Sequence, residues 1–163
     1  MSIVLDGTNG VTFPNSTTQA SAGHVLQVVN ATTTAGFTSS SNVLADTSIT
    51  ATITPKFATS SILILVNLAG CGKDTGNTYI RTALLRGSTI LEYFENIGGY
   101  TASTASNYIG SISTCYLDSP ATTSATTYKI QASSGLNTSM IYIGGVAATI
   151  NATQTITLLE IGQ

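Results

Sequence analysis

Thr47-Ser48-Ile49-Thr50-Ala51-Thr52-Ile53-Thr54 places Ile49, Ala51 and Ile53 on one face of an extended chain and threonines on the other. That alternation has the period of a half-buried β-strand, and Pro55 closes it because proline cannot donate to a sheet ladder. The same reading extends in both directions. Upstream, His24 to Asn30 is rich in valine; downstream, Ser61-Ile62-Leu63-Ile64-Leu65-Val66-Asn67-Leu68 is apolar on both faces and ends at Gly70. The latter is expected to be a central strand, or one whose outer face meets a neighbour. Further strands are expected over 78–86, 89–96, 108–117, 125–132, 139–144 and 154–161, about nine in all, at the spacing of a β-sandwich. Glycine, threonine and serine interrupt every window long enough for a helix, and no capping signature precedes a helical apolar stripe. The expected fold is all-β: an antiparallel, jelly-roll-like β-sandwich with an N-terminal extended arm.

Composition sets the surface. Of 163 residues only twelve are charged, whereas serine and threonine number 48 and the net charge is −2. An ordinary soluble domain is about 25% charged. A hydroxyl and amide surface gives up water more readily than a charged one, and sheet edges with few lysines are usually covered by another chain, so an oligomer is expected. Five scattered basic residues make no positive field, which argues against nucleic acid or an anionic membrane as partner. The longest apolar run, 62–66, falls far short of a bilayer span, and the N-terminus lacks the basic and apolar regions of a secretory signal. The expectation is therefore a cytoplasmic site of synthesis with Cys71 and Cys115 as free, buried thiols.

The first 22 residues stand apart from the sandwich expected over 23–163. Asn9-Gly10 suits a tight hairpin turn and Pro14-Asn15 is a second reversal signal. Residues 10–19, Gly-Val-Thr-Phe-Pro-Asn-Ser-Thr-Thr-Gln, resemble the G-[VI]-T-F-P-[DN]-x-T-x-Q arm of a tailed-bacteriophage, cyanophage-like family of tail-fibre and virion structural proteins. Phrases similar to that family continue in order: Ile53-Thr54-Pro55 with Ala58 to Ile64, Leu84 to Thr89, Tyr116 to Thr123, Thr127 to Gln131, and Thr155 to Glu160. The resemblance implies a non-enzymatic virion protein assembled in the bacterial host cytoplasm, most simply a trimeric fibre knob of the receptor-binding class. Its partners would be further copies of itself and other tail or capsid proteins. The alternative is a capsid decoration protein, favoured by the absence of shaft sequence before the arm. Val11, Phe13 and Pro14 are the expected attachment residues, Phe13 as a rigid aromatic anchor.

His24 is the only histidine and has no ligand-spaced neighbour, so neither metal nor cofactor is expected. Glu92 and Glu95, three apart in a strand, face opposite ways and make a poor pair for glycoside hydrolysis, which leaves a carbohydrate-active enzyme as a remote alternative. Gly70-Cys71-Gly72-Lys73 lacks the flanking residues of a phosphate loop and is expected to be a solvated connection. The four N-glycosylation patterns, at Asn15, Asn30, Asn137 and Asn151, are what chance gives in a chain so rich in Asn and Thr. Among seven tyrosines, Tyr100 lies in a glycine-rich loop with Asn96 and Asn107 nearby, where a ring could stack on a host-surface glycan and amides could bond its hydroxyls.

Overall fold

The computed structural model describes residues 24–136, 139–145 and 152–162 in full, and three short strands before them by their backbone. Those three, β1 (Val4–Asp6), β2 (Gly10–Thr12) and β3 (Thr18–Gln19), pair antiparallel in a sheet of their own. The ladder sets Asp6 against Gly10, so Gly10 is the first residue of β2, and Asn9 lies outside the described residues. Val11 lies in β2, whereas Phe13 and Pro14 fall outside the described residues.

Ten strands follow: β4 (Val25–Thr33), β5 (Phe37–Ser39), β6 (Ala45–Ile53), β7 (Ser61–Lys73), β8 (Ile80–Arg86), β9 (Thr89–Gly98), β10 (Asn107–Asp118), β11 (Thr126–Ser134), β12 (Ile141–Ile143) and β13 (Gln154–Ile161). No helix occurs among the described residues. One sheet runs β4-β13-β7-β10, with the short β12 and β5 continuing beyond the end of β13 on the same edge of β7. The other runs β6-β11-β8-β9. Setting the short β5 and β12 aside, the eight long strands fill the two sheets in the order 1-8-3-6 and 2-7-4-5, all antiparallel. That is a jelly roll of two Greek keys.

Alternation builds the core. Ile49, Ala51 and Ile53 of β6 are buried against Ile62, Ile64, Val66 and Leu68 of β7, with Leu84, Ile112, Tyr128, Ile130, Ile156 and Leu158 completing one cluster. The two-residue turn at Gly87-Ser88 joins β8 to β9, with Gly87 at φ 59°, a conformation that costs other residues strain.

The strand over 61–68 does not stop at Gly70. It continues to Lys73, so the Gly70–Lys73 segment is sheet and not a solvated loop. Gly70, at φ 65°, is an extra residue on β7, because Ser111 pairs with Ala69 and Gly110 with Cys71. Such a bulge switches the alternation and turns Cys71 and Lys73 inward. Cys115 corrects a second expectation. In β10 Ile112 and Asp118 are buried, whereas Ser111, Ser113, Cys115 and Leu117 face out, so Cys71 is buried but Cys115 is exposed. Both thiols are free; Cys71 lies opposite Gly110 and Cys115 opposite Leu65, six residues apart along β7.

The sandwich has two distinct ends. Residue 24, where the chain comes in from the arm, lies beside Gly162, whose N–H donates to the His24 carbonyl. The turns at 54–60, 87–88 and 119–125 share this proximal end. The connections over 34–44, 74–79 and 99–106, with residues 135–136 and 139–140, lie at the opposite, distal end.

Candidate functional site at the distal loops

Lys73 organises the distal end from beneath. Its side chain is fully buried, and Nζ donates to the carbonyl oxygens of Gly76 (2.8 Å), Ala105 (2.5 Å) and Ser103 (3.4 Å). An ammonium has three protons to place, and these three carbonyls take them all. One buried cation thus ties the β7–β8 connection to the β9–β10 connection. Asp74 adds a third: its backbone N–H donates to Met140 while its Oδ1 accepts from the N–H of Gly76. Beneath them Thr78 and Ser134, both buried, lie within hydrogen-bond distance of one another and of the Leu136 carbonyl, so their two hydroxyl protons serve these three contacts between them.

Aromatic rings line the rim above this polar base. Tyr79 and Tyr100 meet edge to face, with centroids 5.9 Å apart and planes at 87°. Gly135 gives them room, since the Tyr79 ring occupies the space where any Cβ at that position would lie. Tyr108 and Tyr142 pair with Gly72 from either side of β7, so a glycine separates two outward-facing tyrosines in one row. Burial, then Asp74 and Tyr108, push the Tyr142 phenol above its ordinary value.

The residues expected to contact a ligand are only partly brought together. Asn107 Nδ2 donates to the Gly99 carbonyl at 3.1 Å, which closes the loop carrying Tyr100, so this amide holds the loop in shape and does not reach outward. Tyr100 remains exposed. Asn96 lies in β9, exposed, with its backbone N–H taken by the Glu95 carboxylate. Tyr108, Tyr142 and Lys73 were missed, because their placement depends on the β7 bulge and on strand register.

The carboxylates outside the arm are all engaged. Asp46 meets Lys129 and Gln131, Asp74 meets Gly76, Glu92 accepts from Thr114, and Glu95 accepts from the N–H groups of Asn96 and Ile97. Asp118 accepts from Arg86 and Tyr128, and Glu160 from Gln27 and the N–H groups of Lys56 and Phe57. Among the described residues no group of three or more His, Cys, Asp or Glu could hold a metal ion. None of their helices could cross a membrane, since there are none. The arrangement can offer aromatic faces, hydroxyls and amides to a neutral polar partner. Comparison with protein-family models and with curated proteins returns no match.

Proposed function

We propose that this chain is a non-enzymatic structural protein of a bacteriophage particle: a trimeric fibre head of the receptor-binding class, attached through its N-terminal arm. The observation that carries the reading is the polarity of the jelly roll. The arm joins at the end where residue 24 meets Gly162, and the aromatic rim of Tyr79, Tyr100, Tyr108 and Tyr142 sits at the other end of every strand. A module held at one end and presenting loops at the other suits attachment and recognition. The engaged carboxylates fit a protein that performs no acid–base chemistry. The scattered cations fit the absence of a nucleic-acid partner: Lys73 and Arg86 serve internal contacts and Lys129 pairs with Asp46. A host-surface glycan is the partner chemistry for the rim, through stacking on tyrosine.

A capsid decoration protein is the second reading, favoured by the uncharged outer face of β4-β13-β7-β10, which could lie against a shell. Antibody raised against the 99–106 loop separates the two on intact particles. Labelling at fibre tips supports the fibre head, labelling over the capsid supports decoration, and particles that lack the protein altogether overturn both.

A further inference from the structure

The outer face of the β4-β13-β7-β10 sheet carries an apolar row that crosses all four strands. Register aligns Val28 with Leu159, Leu159 with Leu63, and Leu63 with Leu117. Val28 and Leu117 are 57% and 59% exposed, and Leu65 in the next row, beside Cys115, is 40% exposed. No outward position of these four strands is charged. The opposite outer face differs: there Lys129 pairs with Asp46 and Arg81 lies over the Tyr93 ring. Polar groups on the uncharged face already bond one another, Asn30 to Thr157 at 2.7 Å and Ser113 to Asn67 at 2.9 Å, so covering them strands few donors.

We infer that this face is where copies of the chain meet, around the row Val28–Leu159–Leu63–Leu117. The inference rests on the trimer reading above and assigns its surface. Residues near a symmetry axis confront their own counterparts, so charge there repels itself, and a face without charge avoids the conflict. Four strands about 4.8 Å apart and roughly ten residues long at about 3.3 Å each give a footprint of roughly 600 Å². That is of the order of the ~800 Å² one partner contributes to a standard interface.

Cys115 is a native reporter on this face, and Cys71 is a buried internal control. The experiment uses the full chain, a thiol-reactive probe and sedimentation, at micromolar and at nanomolar concentration. The expected result is an assembled mass at micromolar concentration, with Cys115 labelled about tenfold more slowly there than at nanomolar concentration. Leu117→Lys should give a single-chain mass with fast Cys115 labelling and a cooperative melt, whereas Arg81→Glu on the opposite face leaves assembly unchanged. If the wild-type protein assembles while Cys115 stays freely reactive, the face is wrong and the oligomer stands. A single-chain mass at micromolar concentration overturns both; if Cys115 is then protected at either concentration, the arm is the occupant. Should Leu117→Lys fail to fold, the wild-type labelling comparison still decides.

Discussion

Tyr128 donates its hydroxyl proton to Asp118 Oδ2 at 2.6 Å, joining β11 of one sheet to the end of β10 in the other. Arg86 Nη1 reaches both oxygens of the same carboxylate at 2.8 Å, and Asp118 and Tyr128 are buried. Arg86 of β8, Asp118 of β10 and Tyr128 of β11 thus bring strands of both sheets to this one point. Their role is to lock the proximal end of the sandwich.

Removing one member should be costly because Asp118 and Tyr128 are buried, while the Arg86 side chain keeps 33% of its surface in water. Tyr128→Phe leaves the Arg86–Asp118 pair intact and should cost about 1–3 kcal/mol. Asp118→Asn weakens both bonds at once and leaves a guanidinium that is 33% exposed without its counter-charge, so it should cost more, about 2–4 kcal/mol. Chemical denaturation of the two variants checks the order, and equal costs would remove Asp118 from the centre of the cluster.

Alkaline pH should weaken the fold through Cys71. Burial pushes its thiol from 9.0 to about 12, so the unfolded chain loses this proton first. Stability present below pH 9 is then lost as pH rises towards 12, with a slope of up to about 1.4 kcal/mol per unit. Burial, and then Asp118, likewise raise the Tyr128 phenol, which adds to the loss once unfolded tyrosine ionises. Cys71→Ala should flatten the melting-temperature profile between pH 9 and 12, measured against wild type.

Acid acts at Glu160. Burial works to raise this carboxyl, but hydrogen bonds from Gln27, Lys56 and Phe57 outweigh it and hold it below its ordinary value. A depressed carboxyl contributes stability above its unfolded value, near pH 4.5, and that contribution is lost as pH falls further. Glu160→Gln should cost about 2 kcal/mol at neutral pH and reduce the acid sensitivity, with the 54–60 turn gaining amide exchange.

Lys73→Met keeps the bulk of the side chain and removes the ammonium under the distal loops. The sandwich should remain cooperative, because the substitution spares the apolar cluster, while the carbonyls of Gly76, Ser103 and Ala105 lose their donor. Hydrogen exchange should rise over 99–106 and 74–78 before it rises elsewhere. Unchanged protection there would show that Lys73 does not organise the rim.

The strands were legible where alternation is unbroken. The strand expected over 47–54 runs from Ala45 to Ile53 and the one expected over 154–161 runs from Gln154 to Ile161, and Ile62 to Val66 proved two-sided because Leu63 and Leu65 face outward from a strand paired on both edges. What was not legible depends on register. The bulge at Gly70 reverses which residues of β7 point inward, hiding Lys73 in the interior; Cys115 follows the parity of β10, set by its pairing partner. The strand β5 is three residues long and exists only by pairing with β12, and Asn107 looks like a free amide until the fold brings Gly99 to it.

Attachment by the arm has its own test in Phe13→Ala. The account expects incorporation into particles to fall while the melting curve of the isolated protein stays put. A stability loss of a few kcal/mol would instead make Phe13 a plug of its own fold.

The most direct measurement is a reconstruction of the intact particle at a resolution that orients the sandwich. The account predicts the proximal end, with residue 24 and Gly162, turned towards the particle, and Tyr100, Tyr108 and Tyr142 turned towards solvent. Distal loops pressed against the capsid or tail, or a particle without this protein, would contradict it.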